Sequence, residues 1–237
     1  MRTKTLLLSA VALAAGVVAS QAQSNVFSAN VVGYVNVVLP GNGQYQLVAN
    51  PFDDGNGNYI TNLLNQALPK QSQVLIWNGT GYDIVTKVGT PASFPAGTTN
   101  QAPPGIGFFV KNGSAALSSP TITNVFVGSI VVPNGGTFTN SLPVGYTLAG
   151  SPIPYSGFIA HSGTGGGDTN MDFGGPLTRQ SQILTWNSTN QGYTITTKVG
   201  NPTALWNGDV TIAPGQAFFI KNANGPATNT VESLNLQ

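Results

Sequence analysis

The second half of this chain repeats the first, and that constrains its fold more than any other feature. Residues 71–78 read QSQVLIWN and return at 180–187 as QSQILTWN. Residues 81–89, GYDIVTKVG, return at 192–200 as GYTITTKVG, and 104–112, PGIGFFVKN, return at 214–222 as PGQAFFIKN. The offsets are 109, 111 and 110, so the loops between blocks differ by one or two residues. Upstream, Tyr45-Gln46-Leu47-Val48-Ala49-Asn50-Pro51 matches Tyr146-Thr147-Leu148-Ala149-Gly150-Ser151-Pro152 at an offset of 101. About eight extra residues of the second copy therefore fall between Pro152 and Gln180, where the stretch 161–175 is Gly-rich. Four collinear blocks mark an internal duplication. A period near 110 is the size of a domain, whereas solenoid units run from about 20 to 50 residues. The mature chain therefore divides into a first domain, 23–126, and a second, 127–237. The copies open on Val32-Gly33-Tyr34-Val35 and Val127-Gly128-Ser129-Ile130. The Val127 strand fits either the end of the first copy or the start of the second.

Residues 1–22 read as an export signal peptide. Arg2 and Lys4 form a positive start, 6–18 is apolar, and Ser20-Gln21-Ala22 puts small residues where such a leader is cut. The apolar run is too short for a mature anchor. Cleavage after Ala22 takes the net charge from +1 to −1, because Arg2 and Lys4 leave with the peptide. Cysteine is absent, which excludes disulfides, thiolate metal sites and a lipidated N-terminal Cys. Only 6% of residues are charged while 41% are hydrophobic. Charge-driven disorder is excluded, and so is an electrostatic nucleic-acid binder, which needs a basic face. No second apolar stretch is long enough for a membrane span. The expected location is extracellular or at the cell surface, with the periplasm as the other compartment the leader allows.

Within one copy the pattern is mostly strand. Residues 31–39 and 45–49 are β-branched or aromatic runs separated by the turn cluster Pro40-Gly41-Asn42-Gly43. Residues 74–77 and 82–85 flank Asn78-Gly79-Thr80-Gly81, a hairpin signal. One helical candidate exists, 60–68, where Ile60, Leu63, Leu64 and Leu68 follow helical spacing behind Asn58 as N-cap. A helical turn is expected at the corresponding place after Pro152 too. The fold class is mainly β: two tandem domains, each a small β-sandwich or partly open barrel with at most one short helix.

The order is a Tyr-led strand ending in Asn-Pro or Ser-Pro, a short helix, a Trp-hairpin-Tyr unit, and a Pro-Gly-x-x-Phe-Phe-Val/Ile-Lys-Asn strand. It resembles small β-modules of exported bacterial proteins that pair a Tyr-x-Leu-x-x-x-Pro strand with a Pro-Gly-x-Gly-aromatic-aromatic strand. The Val-Gly-Tyr-Val-Asn-Val opening at 32–37 belongs to the same resemblance. It covers nearly the whole mature chain and implies a secreted β-protein with no defined activity, so no functional residue is carried over. Ala217 departs from the pattern, standing where the second Gly belongs.

Few residues carry chemistry. Asp54, Asn56 and Asn58, and again Asp168, Asn170 and Asp172, place oxygen atoms at positions 1, 3 and 5, as a calcium loop begins. Such a loop also needs Gly at position 6 and Glu at position 12, where this chain has Tyr59 or Phe173 and Asn65 or Arg179. Turn formation and capping by Asn58 and Asp168 is the stronger reading. No cofactor or metal is expected. His161 is the sole histidine, in a Gly/Ser-rich loop, and no nucleophile elbow accompanies it. Asp53 and Asp54 are adjacent on one loop and point apart, unlike the facing carboxylates of a glycosidase. The chain is therefore read as not an enzyme.

Trp77 and Trp186 recur at one repeat position, as do Phe108-Phe109 and Phe218-Phe219, and core packing in a shared fold is the simpler account of both. Trp206 and Tyr155 lie in loops and are the candidates for stacking against a surface glycan. The recurring Lys87/Lys198 and Lys111/Lys221 pairs, at strand ends, read as charges that blunt exposed edges. The function expected from all this is a non-enzymatic exported structural or adhesive module of the cell surface or extracellular matrix. The alternative is a carbohydrate-binding protein using loop aromatics. Self-association through sheet edges is expected, because the strand 31–39 is long, apolar and uncharged.

Overall fold

Successive side chains of a strand point to opposite faces, so two apolar neighbours in a strand need two separate apolar environments. The repeated Phe-Phe doublets meet that condition. The computed structural model describes residues 31–237 except 65, 115, 117, 132–136, 167–170, 173–176, 202, 224–227 and 234–237. The leader, 1–22, lies outside the described residues. The first half runs β1 (Val31–Leu39), β2 (Tyr45–Ala49), α1 (Ile60–Leu63), β3 (Gln73–Trp77), β4 (Tyr82–Thr86), β5 (Gly107–Lys111) and β6 (Ile122–Ile130). The second runs β7 (Thr137–Leu142), β8 (Gly145–Gly150), β9 (Gly157–Ala160), β10 (Met171–Asp172), β11 (Gln182–Asn187), β12 (Gly192–Val199), β13 (Leu205–Trp206), β14 (Val210–Ile212), β15 (Ala217–Asn222) and β16 (Thr228–Ser233).

The protein is mainly β, built from several open antiparallel sheets. The first half holds a four-stranded sheet in the order β2-β5-β3-β4, and the second a five-stranded sheet in the order β8-β15-β11-β12-β13. With β2 set against β8, β5 against β15, β3 against β11 and β4 against β12, the first four positions follow the same order. Strand β1 pairs with β6, and β7 pairs with β16, which also holds β10. The Val127 strand is therefore β6, a partner of β1, and the division drawn at 126/127 falls inside it. The second-half counterpart of β1 is β7. Asn112 Nδ2 donates to the Leu39 carbonyl at 3.1 Å, and Asn222 Nδ2 donates to the Leu142 carbonyl at 3.1 Å.

The helix is shorter than its apolar spacing predicts. Leu64 already has extended backbone (φ −103°, ψ 141°), so the helix ends at Leu63. Lys87 Nζ takes the Gln66 carbonyl at 2.8 Å, while Gln66 Nε2 reaches back to the Thr61 carbonyl at 2.7 Å. Leu64 and Leu68 are buried all the same. Nor does Asn58 cap it: the N-cap is Tyr59, with no side-chain cap bond. Asn58 stands at φ +53° and ties the preceding loop together. In the second half the chain forms β9, paired with β14, where a helical turn was expected.

Each of the two large sheets has its own core, the first of them joined by Ile153 from the second half. Val48, Val74, Phe108, Val110 and Phe126 pack on one side of the first sheet, and Ile183, Phe218 and Ile220 pack in the second half with Trp206 and Ile159. A third cluster joins Leu47, Ala49 and Phe109 of the first half to Leu148, Leu184, Ala217 and Phe219 of the second. Phe108 and Phe218 thus fill the separate cores while Phe109 and Phe219 meet in the shared one. From Val32 onward the chain is one compact unit. Among the described residues no helix is long and apolar enough to cross a membrane.

Candidate binding site

The third cluster arises where the two sheets face each other, and its contacts come in matched pairs. Ala49 N donates to the Gly215 carbonyl at 2.9 Å, and Gly150 N donates to the Gly105 carbonyl at 2.9 Å. Ala49 touches the α-carbon position of Gly150 so closely that a Cβ there would overlap its methyl. A Cβ on Gly107 would stand 2.8 Å from that of Ala217. At each close approach one half supplies Gly and the other Ala, which is the reason Ala217 breaks the Gly pattern.

Beside this seam, residues on the facing surfaces line two aromatic clefts. Trp77, at the end of β3, donates its indole Nε1–H to the Tyr146 carbonyl of β8 at 3.1 Å. Trp186, at the matching point of β11, donates to the Tyr45 carbonyl of β2 at 2.9 Å. Trp77 packs on Tyr82 (5.2 Å between ring centres) and Phe219 (5.5 Å), while Trp186 packs on Tyr193 (5.0 Å) and Phe109 (5.1 Å). All four pairs are edge-on, a favoured geometry that adds about 0.5–1.5 kcal/mol each to the buried area. Tyr82 and Tyr193 both line the two clefts and stand between them.

One cleft, of about 270 Å³, is lined by Trp77, Tyr82, Tyr146, Leu184, Tyr193 and Phe219. The other, of about 180 Å³, is lined by Trp186, Tyr193, Tyr45, Leu75, Tyr82 and Phe109. Each residue of one list has its repeat-equivalent in the other. Lys221 Nζ lies 5.7 Å from the Tyr146 ring centre and Lys111 Nζ 5.8 Å from that of Tyr45, so a cation stands over one tyrosine of each cleft. Burial raises the Tyr82 pKa above its ordinary value and raises that of Tyr193 further, with Tyr82 adding to the rise. Both phenols stay protonated at neutral pH. The clefts can stack flat apolar faces and exchange hydrogen bonds with hydroxyls, and their linings contain no carboxylate, imidazole or thiol.

The residues singled out in the sequence fall elsewhere. Trp206 is 1% exposed, paired with Lys198 in the β12–β13 ladder, with Lys198 Nζ 5.4 Å from its ring centre. Neither face is open to a sugar, so Trp206 is not a stacking platform. Tyr155 is half-buried, packs against both separate cores and donates its hydroxyl to the Phe158 carbonyl at 3.0 Å. Trp77 and Trp186, read as core, are half-buried at the cleft walls. The sequence signal for the clefts was present in the recurrence of Tyr45/Tyr146 and Tyr82/Tyr193, but nothing in it placed those rings together.

In the Asp54 loop, Asp54 Oδ1 accepts the N–H groups of Asn56 and Asn58, both at 2.8 Å. Asn58 Oδ1 in turn accepts from Asp54 N at 3.0 Å and Asn50 Nδ2 at 3.1 Å. These oxygens serve the loop's own backbone and the Asn50 side chain. Asp168 and Asn170 lie outside the described residues, as does the side chain of Asp172. Among the described residues no group of three or more His, Asp or Glu side chains is placed to hold a metal. His161 Nδ1 lies 2.9 Å from Asp209 Oδ1, in a half-exposed pair. Asp209 is held below its ordinary pKa, chiefly by the Ser162 N–H and then by His161. Among the described residues no hydroxyl is hydrogen-bonded to the other ring nitrogen of His161.

Lys87 and Lys198 do not guard sheet edges. They are 0% and 2% exposed, and their ammonium groups donate to the Gln66 and Gly165 carbonyls at 2.8 and 2.6 Å. Phe94 and Trp206 stack beneath them. Burial lowers the Lys87 pKa. No protein family, curated protein or solved structure matches this chain.

Proposed function

We propose that this protein is a non-enzymatic adhesive module, exported to the cell surface or extracellular matrix, that holds carbohydrate in its two aromatic clefts. The observation that carries the reading is the matched pair of clefts, each with a half-buried tryptophan whose orientation a backbone carbonyl fixes. A pyranose ring presents a flat C–H face, which an indole covers without needing charge, and a fixed indole loses little freedom on binding. The protonated tyrosines supply donors and acceptors for sugar hydroxyls. Two such clefts on one unit favour a repeating polymer over a single sugar, because the second contact forms at high effective concentration. The low charge of the chain leaves little repulsion against neutral or acidic polysaccharide.

A glycan array probed with the exported chain, followed by titration of the best hit, tests this. The expected result is sub-millimolar binding that falls at least tenfold in Trp77→Ala and in Trp186→Ala, with far-ultraviolet circular dichroism unchanged. Binding that survives the double substitution, or no binding to any glycan at millimolar concentration, would overturn the proposal.

A further inference from the structure

The two clefts share their linings but differ at the open strand edge beside them. In β2, residues 45, 47 and 49 turn their N–H groups away from β5, as the Ala49 N–H to Gly215 bond shows. In β8 the Gly150 N–H likewise points outward, to Gly105, and alternation puts the Tyr146 N–H on the same outer edge. Beside the Trp186 cleft the corresponding Tyr45 N–H is taken: it donates to Gln191 Oε1 at 2.8 Å, while Gln191 Nε2 donates to the Tyr45 carbonyl at 3.1 Å. An amide carbonyl oxygen from this chain's own β11–β12 hairpin occupies that edge. The β3–β4 hairpin is two residues shorter and has no counterpart of Gln191. Its Asn78 side chain turns back to its own loop, accepting from Gly81 N at 2.8 Å and donating to Asp83 at 3.0 Å. Among the described residues nothing accepts the Tyr146 N–H, and Tyr146 is 41% exposed. The cleft beside it is also the larger of the two.

Resting on the carbohydrate reading above, we propose that the Trp77 cleft selects an N-acylated sugar, whose amide carbonyl oxygen accepts the Tyr146 N–H as Gln191 Oε1 accepts that of Tyr45. Stacking on Trp77 and Tyr82 holds the ring, and the acyl oxygen completes the open strand edge with Lys221 close by. The Trp186 cleft, already plugged, lacks this preference. A uronic acid offers a carboxylate oxygen to the same donors, and the ligand series below separates the two.

Calorimetric titration of the full exported chain compares triacetylchitotriose, its deacetylated form, cellotriose and a uronic acid trimer. One added hydrogen bond of ordinary strength corresponds to about tenfold in affinity. The expected result is triacetylchitotriose bound about tenfold tighter than cellotriose at one site per chain. Replacing 78–81 by the longer loop sequence of 187–192 should plug the edge and abolish that preference without touching an aromatic residue. Gln191→Ala should open the second edge and raise the number of N-acyl-selective sites from one to two. Equal affinity for triacetylchitotriose and cellotriose would overturn the acyl inference while leaving carbohydrate binding in place. Tighter binding of the uronic acid trimer would overturn it in favour of a carboxylate. Binding of none of the sugars, or of an extended peptide in their stead, would overturn both this inference and the reading on which it rests.

Discussion

Exchanging the residues of one Gly/Ala pair across the seam tests whether the two sheets are locked face to face. Gly150→Ala places a methyl where the Ala49 methyl already stands. Neither strand can back away freely, since Ala49 N and Gly150 N both hold carbonyls of the opposite half at 2.9 Å. Overpacking of this kind costs about 1–3 kcal/mol. Ala49→Gly alone removes a buried methyl, about 0.8 kcal/mol, and adds backbone freedom to the unfolded chain, about 0.5–1 kcal/mol. In the double variant the new methyl at 150 no longer meets one at 49. Its next neighbours are the Cα of residue 49 at 3.6 Å and the Gln216 carbonyl oxygen at 3.7 Å, both ordinary contacts. The exchange should therefore sit within about 1 kcal/mol of the parent, against a sum of single effects of about 2–5 kcal/mol. Urea unfolding followed by circular dichroism measures this, with the m-value unchanged. The Gly107/Ala217 exchange should not be rescued, because a methyl at 107 also meets Leu148 Cδ1 and Cγ at 2.9 Å. Simple additivity at 49 and 150, or a neutral Gly150→Ala, would refute the close approach of the halves.

Further outcomes follow from the buried groups and from the outer face of the β1–β6 ribbon. Lys87 has a lowered pKa in the folded state. Between that value and the unfolded value of about 10.4 the unfolded chain binds more protons, so Lys87 makes stability rise with pH across that window. In Lys87→Met, denaturant midpoints measured against pH should lose this rise. Tyr82 and Tyr193 have raised pKa values, so above about pH 10 the unfolded chain binds fewer protons and stability falls. The Tyr82→Phe/Tyr193→Phe pair should soften that alkaline fall in the same titration. Asn50 is fully buried, donating to the Phe52 carbonyl at 2.6 Å and accepting from Phe52 N at 3.1 Å. Asn50→Ala should lower the urea midpoint, at about 1–3 kcal/mol for each group left unpaired. The exposed side chains Val32, Tyr34, Val38, Val125 and Val127 form an uncharged apolar face on β1 and β6, proposed here as a self-association surface. Light scattering over a hundredfold concentration range should show a rising mass that Val38→Lys abolishes, and a constant monomer mass would contradict it.

Much of the fold was legible because its signals are local. The Asn78–Gly81 turn, the β-branched run along 31–39 and the repeated Phe-Phe doublets depend on neighbouring residues alone. The helix was overread because Leu64 and Leu68 are buried whether the chain is helical or extended, and apolar spacing cannot separate the two. Lys87 and Lys198 were misplaced for a different reason. A lysine near a strand end reads as a surface charge, and its burial depends on carbonyls contributed by distant loops at Gln66 and Gly165. Trp206 looked like a loop residue through its Asn and Gly neighbours, yet two ladder pairs draw it under Lys198. The clefts were the least legible feature. Alternation shows that Leu47, Phe109 and Leu75 share a face, but not that the same face of the second half covers it. With that face assigned, the half-exposure of Trp77 and Trp186 follows from their places in the cleft walls.

The chain contains three tryptophans, so its indole N–H groups give three well-separated nuclear magnetic resonance signals that report on the clefts directly. Assigned by single substitution and followed during titration with triacetylchitotriose, the Trp77 signal should shift first and furthest. The Trp186 signal should follow at higher concentration, and that of buried Trp206 should stay in place. Movement of Trp206 alone, or no movement of any indole at saturating sugar, would contradict the assignment of the aromatic clefts as the binding site.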